Sequence, residues 1–221
     1  MKIAEVVDSL KEKVNKNAIN DGAEIDNPRA ISLINEEQNK FLAWVLEKRN
    51  EDDIRKVERF LVAEKNLKID SKTLSSNYYT LPENFFDFAN ISARAKEGKC
   101  TDDILLWEVK SENVHELLED TNNKPSFYYR ESFYYFTESK VRIFKNNFEI
   151  VKVLLDYYRY PKKMDIEGYL NIEGTASSNV DPEWGDKEMD VIINMAARSF
   201  NLNSENLQRF QIDTARINSK N

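Results

Sequence analysis

The sequence predicts an α+β protein: a helical bundle of N-terminal helices and one C-terminal helix, an inserted small antiparallel β domain, and an extended C-terminal tail. Three observations predict it. Apolar residues recur at helical spacing on both flanks of the chain. Eighteen of the 25 aromatic residues fall between positions 71 and 164, in short runs of β-forming residues. The end of the chain is polar, with few apolar residues, among them Leu207, Phe210 and Ile217. The implied domains are 1–70 and 165–202 for the bundle, 71–164 for the β part, and 203–221 for the tail.

In the first segment Ile3, Val6, Val7, Leu10 and Val14 share one helical face. Asn15 to Asn27 is a polar connector. Asn27-Pro28 marks a helix start: Asn accepts free N–H groups of the first turn, and Pro there lacks a donor that would be unpaired anyway. Ile31, Ile34, Gln38, Phe41, Leu42 and Val45 continue that helix. Asn50 to Asp53 caps another, with Ile54, Val57, Phe60 and Leu61 as its apolar face.

The middle segment alternates like strands. Phe85, Phe86 and Phe88 lead into Ile91 to Lys96, Gly98 marks a turn, and Ile104 to Lys110 gives a second strand. Glu112 to Asp120 reads as a short helix that ends before Pro125. Phe127 to Arg130, Phe133 to Phe136 and Lys140 to Phe144 are β runs. Asn146-Asn147 is a hairpin turn, and Phe148 to Tyr160 is the longest strand. On that strand Val151, Val153, Leu155 and Tyr157 fall on one face, opposite Ile150, Lys152, Leu154, Asp156 and Tyr158. Pro161 stops it.

Lys162 to Ile172 offers one further strand, followed by a loop at Gly174 to Asn179. Asp181-Pro182 repeats the cap-and-proline start. Met189, Ile192, Ile193, Ala196, Ala197 and Phe200 then form the clearest helical stripe, expected to pack with Ile34, Phe41 and Val45 in the bundle core.

Composition narrows the chemistry. Thirty-two basic and 39 acidic residues give a net charge of −7, poorly suited to coating DNA through counterion release. No apolar run is long enough to span a bilayer, and Glu5 and Asp8 interrupt any export signal. With one cysteine (Cys100) and one histidine (His115), neither an internal disulfide nor a Cys/His zinc site can form. The five glycines fit no phosphate-cradling motif. Asp52-Asp53 suits helix capping and Asp102-Asp103 a turn, better than either suits a cation site. His115 lies among glutamates with no positioned serine, and Cys100 has no evident base. The expectation is therefore a protein that is not an enzyme, without cofactor or metal.

Aromatic pairs are the most prominent feature: Tyr78-Tyr79, Phe85-Phe86, Tyr128-Tyr129, Tyr134-Tyr135 and Tyr157-Tyr158. They suit a sheet core plus an interface. The alternative is a stacking platform for single-stranded nucleic acid, served by Arg130, Lys140, Arg142, Lys145 and Lys152. Residues 165–190 hold eight acids against Lys187.

Leu81-Pro82-Glu83-Asn84-Phe85 precedes the β region, Tyr157-Tyr158-Arg159-Tyr160-Pro161 closes it, and Asp181-Pro182-Glu183-Trp184 opens a helix running through Ala196-Ala197. This succession, across roughly residues 25–215, resembles the head-to-tail connector proteins of short-tailed bacteriophages, of the tail-tubular-A type. In that family a Leu-Pro-x-x-Phe segment leads from a helical bundle into a β domain, and a Tyr-Tyr-x-x-Pro strand returns. The resemblance implies a structural virion protein of the neck, made in the cytoplasm of the bacterial host. It implies a ring of like copies, typically twelve, docked on the portal by the C-terminal segment. The ring would bear the next tail component and leave a channel for genomic DNA, with no membrane contact. Leu207, Phe210 and Ile217 would anchor the docking. The helix before Asn27 and the Gly174 to Asn179 loop depart from the pattern and suit a divergent neck with additional rings.

Overall fold

A computed structural model describes residues 1–17, 25–48, 51–170 and 175–201. The chain divides into two compact units: Met1–Arg59 together with the chain from Pro161 onward, and Phe60–Tyr160. The expected helical bundle with a small antiparallel insert is not the fold. The molecule is mainly a curled, mixed sheet of eight strands, with helices beside it in sequence.

In the helical unit, α1 (Ile3–Asn17) and α2 (Asn27–Lys48) bury the apolar faces that their spacing defines. Ile3, Val6, Val7, Leu10 and Val14 are buried, as are Ile34, Phe41 and Val45. The side chain of Asp26, one residue ahead of the expected Asn27, accepts the Arg29 N–H at 3.0 Å and caps α2. Asn27 instead accepts from the Lys11 ammonium at 2.6 Å. α3 is short (Glu51–Val57) and gives way to a single 3₁₀ turn at Glu58–Phe60. The last described helix, α5, covers residues 186–201. Met189, Ile192, Ile193, Ala196 and Phe200 are buried on it. It begins five residues after Asp181, so that residue does not cap it. The Asp181 carboxylate accepts the Ile3 N–H at 2.9 Å and holds the start of α1. Lys162 to Ile172 does not form the expected strand. Within its described part there are only isolated bridges, Asp165 to Val180 and Leu170 to Ala176.

The sheet unit begins at Phe60, eleven residues before the expected start at position 71. Leu61 opens β1 (Leu61–Asn66), where the periodicity suggests helix, and β2 (Lys68–Lys72) and β3 (Ser76–Thr80) follow. The remaining strands are β4 (Phe85–Glu97), β5 (Cys100–Glu108), β6 (Glu131–Phe136), β7 (Lys140–Phe144) and β8 (Glu149–Arg159). Their order is β1-β8-β4-β5-β6-β7-β3-β2. The two outermost strands, β1 and β2, are separated in the chain by Leu67 alone. Two Cα steps of 3.8 Å cannot span a flat sheet of eight strands, so the sheet must curl until its edges approach there. Leu67 is buried, and its N–H donates to the Val153 carbonyl at 3.0 Å.

Bulges supply the curl. Phe86 and Ala89 are extra residues in β4 against β8, and Val151 is extra in β8. Between Val62 and Lys65, β1 carries one more residue than β8. The inner face buries Tyr79, Ile91, Ala93, Ile104, Tyr134, Ile143, Val153, Leu155 and Tyr157, among others. The Val151 bulge resets the alternation of β8: Ile150 turns inward beside Val153, and Val151 is half exposed, the reverse of the expected faces. β5 and β6 pair in parallel. Their connection carries α4 (Val114–Glu119), which buries Val114 against Phe133 and Phe144 in a second core. Phe127 to Arg130 is a turn rather than a strand, framed by the bridge between Ser126 and Glu131.

Candidate interaction surface

Two of the three segments that carry the family resemblance lie side by side in the sheet unit. Phe85 at the start of β4 pairs with Arg159 at the end of β8. The Phe85 ring stacks on Tyr157 at 5.7 Å, and Phe86 meets Tyr160 edge-on at 4.8 Å. Asn84 fastens the pair. Its side-chain oxygen accepts the Tyr157 hydroxyl at 2.9 Å, and its carbonyl accepts the Tyr160 N–H at 2.9 Å. A turn shapes the approach, with the Phe85 N–H donating to the Pro82 carbonyl at 3.0 Å. Leu81 is buried and hydrogen-bonded to the Ser139 carbonyl. Tyr158 is half-buried, and Pro161, just past the sheet unit, is buried. The two motifs are thus joined through one adjacent pair of strands, β4 and β8.

The aromatic pairs separate by face. Tyr79, Tyr134 and Tyr157 point into the sheet core, where burial raises their pKa values, that of Tyr134 to about 12. Tyr78 and Tyr135 lie on the outer face around Arg142. The guanidinium sits 5.0 Å from the Tyr78 ring centre and 4.7 Å from that of Phe144. It also donates to the Ser76 hydroxyl at 2.9 Å and the Tyr135 hydroxyl at 3.0 Å. Arg130 is paired with Asp102 at 2.9 Å and Lys140 with Asp70 at 2.9 Å. Three of the five cations expected to serve a stacking platform are therefore engaged within the chain.

Tyr128 and Tyr129 are different. They are 84% and 68% exposed, and meet edge to face at 5.0 Å. Their turn is held by the Arg130 N–H donating to the Phe127 carbonyl at 3.1 Å. Leu105, 67% exposed, donates its N–H to the Arg130 carbonyl at 2.7 Å, which fixes β5 beside the same turn. Leu105, Tyr128 and Tyr129 are the exposed large apolar residues of this turn and the neighbouring β5.

The helical unit contains a polar network that sequence reading missed. The Asn35 amide clasps both backbone groups of Met164, at 2.9 and 2.8 Å. The Gln38 amide donates to Asn35 and to the Lys162 carbonyl, and its oxygen accepts the Trp184 indole N–H at 3.3 Å. The Glu183 carboxylate accepts the Lys162 N–H at 2.8 Å. Several acids of the 165–190 cluster thus act as backbone acceptors: Asp181, Glu183 and Asp165, the last also taking the Tyr169 hydroxyl. Only the interruption of a helical stripe by polar Asn35 and Gln38 hinted at this.

The residues considered for chemistry lie apart. His115 is exposed, 3.3 Å from Glu119. Cys100 is exposed on the β4–β5 hairpin. Asp102 and Asp103 face different arginines, Arg130 and Arg94. The side chains of Asp52 and Asp53, and the tail residues Leu207, Phe210 and Ile217, lie outside the described residues. Among the described residues no three His, Cys, Asp or Glu side chains are grouped to hold a metal ion, and no helix is long and apolar enough to cross a membrane. No protein-family model and no curated protein matches this sequence.

Proposed function

We propose that this chain is a structural virion protein, a head-to-tail adaptor. Its copies would form a ring on the portal, of about twelve if it follows the family it resembles. The carrying observation is the pairing of β4 with β8. Asn84 and Phe85 of the first motif and Tyr157 to Tyr160 of the second, more than seventy residues apart, meet there in one hydrogen-bonded junction. The reading rests on that junction and not on fold class, since a curled, mixed sheet of eight strands is not the small antiparallel insert that the resemblance implies. The exposed Leu105, Tyr128 and Tyr129 surface supports it, because exposed apolar anchors suit contact between ring neighbours.

Co-expression with the portal protein of the same virus tests the proposal. The full chain should co-purify with portal. Replacing Leu207, Phe210 and Ile217 with serine should abolish co-purification while leaving the circular dichroism unchanged. Retention by that variant would remove the tail as the docking element, and failure of the unaltered chain to bind would remove the proposal. The competing proposal is a single-stranded nucleic-acid module. The exposed Tyr128-Tyr129 pair favours it, and a salt-sensitive oligonucleotide shift lost in a Tyr128→Ser/Tyr129→Ser variant would establish it.

A further inference from the structure

Arg142 of β7 lies in one row across the outer face of the sheet, between Tyr78 of β3 and Tyr135 of β6. It is half-buried, and three rings surround its guanidinium. Their centres lie 4.7 Å away for Phe144, 5.0 Å for Tyr78 and 5.9 Å for Tyr135. Phe144 belongs to the second core, so the charge stands at the rim of an apolar cluster, where water screens it less than in the open.

Three features set this cation apart. First, it lacks a counter-charge. Arg94 and Arg130, both more exposed, meet Asp103 and Asp102, and Lys140 on the same face of β7 meets Asp70. Among the described residues no carboxylate pairs with Arg142. Second, it spends only two of its five N–H donors inside the chain, on the Ser76 and Tyr135 hydroxyls. The others are open to solvent, because Asn77 Oδ1 is the one buried side-chain polar atom without a partner among the described residues. Third, the Tyr135 oxygen accepts from Arg142, which leaves its own proton to be donated beside the guanidinium. The frame is rigid: Ser76 is buried, and its N–H donates to the Thr73 hydroxyl at 3.0 Å.

Donors without acceptors, around a cation without an anion, suit an oxyanion. A planar carboxylate is satisfied by the guanidinium fork alone. A tetrahedral phosphate offers a further oxygen, and the Tyr135 O–H stands beside the fork to meet it. We propose that Arg142 and the Tyr135 hydroxyl form a binding site for a phosphate group with three unesterified oxygens, either free phosphate or a phosphate monoester. The rings hold the guanidinium in place, and the ligand supplies the negative charge that the chain does not. A nucleic-acid backbone, whose phosphates have two such oxygens, fits less well. The inference does not depend on the adaptor reading, and its test involves no portal.

The test is thermal unfolding of the full chain in sodium phosphate, with sodium chloride and sodium acetate at equal ionic strength as references. Phosphate at about 50 mM should raise Tm by about 3 °C or more over chloride. That difference should vanish in Arg142→Met, which keeps the apolar stem and loses the charge. It should fall by about half in Tyr135→Phe, which keeps the ring and loses only the O–H, so the proposal stays testable if Arg142→Met does not fold. O-phosphoserine acting like phosphate would extend the site to monoesters, and its failure beside a positive phosphate result would restrict the ligand to the free ion. Equal phosphate shifts in the unaltered chain and Arg142→Met would overturn the proposal, since phosphate also stabilises proteins by exclusion from their surface. So would acetate matching phosphate, which would make the ligand a carboxylate. Oligothymidylate acting through Arg142 at far lower concentration than phosphate would overturn it in favour of a nucleic-acid backbone.

Discussion

Asp156 of β8 joins two irregularities of the sheet. One carboxylate oxygen accepts the Glu64 N–H at 2.6 Å, and the other lies 3.5 Å from the Asn90 amide. Glu64 has φ of 52°, a left-handed conformation that costs a side-chain-bearing residue about 1 kcal/mol. The bulge forces that conformation, and Asp156 satisfies the N–H it turns aside. Asp156→Ala should therefore lower stability by about 1–2 kcal/mol, with Asp156→Asn costing less because an acceptor remains. Glu64→Gly should raise stability by up to about 1 kcal/mol. Urea denaturation measures both, as shifts of midpoint without change of slope. The left-handed positions were only partly legible in the sequence. Gly98 and Asn147 advertise themselves by residue type, whereas Glu64 and Arg130 are placed there by strand pairing and loop closure.

At the level of elements, legibility followed burial. α1, α2 and α5 each have one dry face, so their periodicity was readable. β1 and β2 are exposed along nearly their whole length, with no alternation to read, so Leu61 to Lys72 is not legible as strand. The face assignment of β8 failed at Val151, because one inserted residue inverts every later side chain. The parallel step from β5 to β6 depends on α4 as its cover. Phe133 and Phe144, both fully buried, lie 4.8 Å apart beneath it. Phe133→Ala should cost about 3–5 kcal/mol in a denaturant melt. Leu117→Ala on half-buried α4 should cost clearly less. Of the candidate surface, the paired motifs were legible as segments. Their meeting through Asn84 was not, because it depends on strand order.

For the molecule as a whole, the titrating groups set the pH range of stability. Lys140, Arg94 and the Asn122–Asn123 turn hold Asp70, Asp103 and Asp120 below the ordinary carboxylate range. Their contribution is present above pH about 4 and lost as pH falls further. These groups are exposed, so the loss is small. Tyr134, by burial, and Tyr169, by burial and its bond to Asp165, are raised to about 12. Their contribution is full below pH about 10 and is lost as pH rises toward 12. Ultraviolet absorbance should show a late phase of phenol ionisation, from Tyr134 and Tyr169, that coincides with loss of circular dichroism. Titration of all ten tyrosines in one step with the fold intact would contradict this. Electron microscopy of the purified chain mixed with a portal protein decides whether the proposed assembly exists. The proposal predicts closed rings of this protein stacked coaxially on the portal. Bare portals beside dispersed single copies, at any mixing ratio, would contradict it.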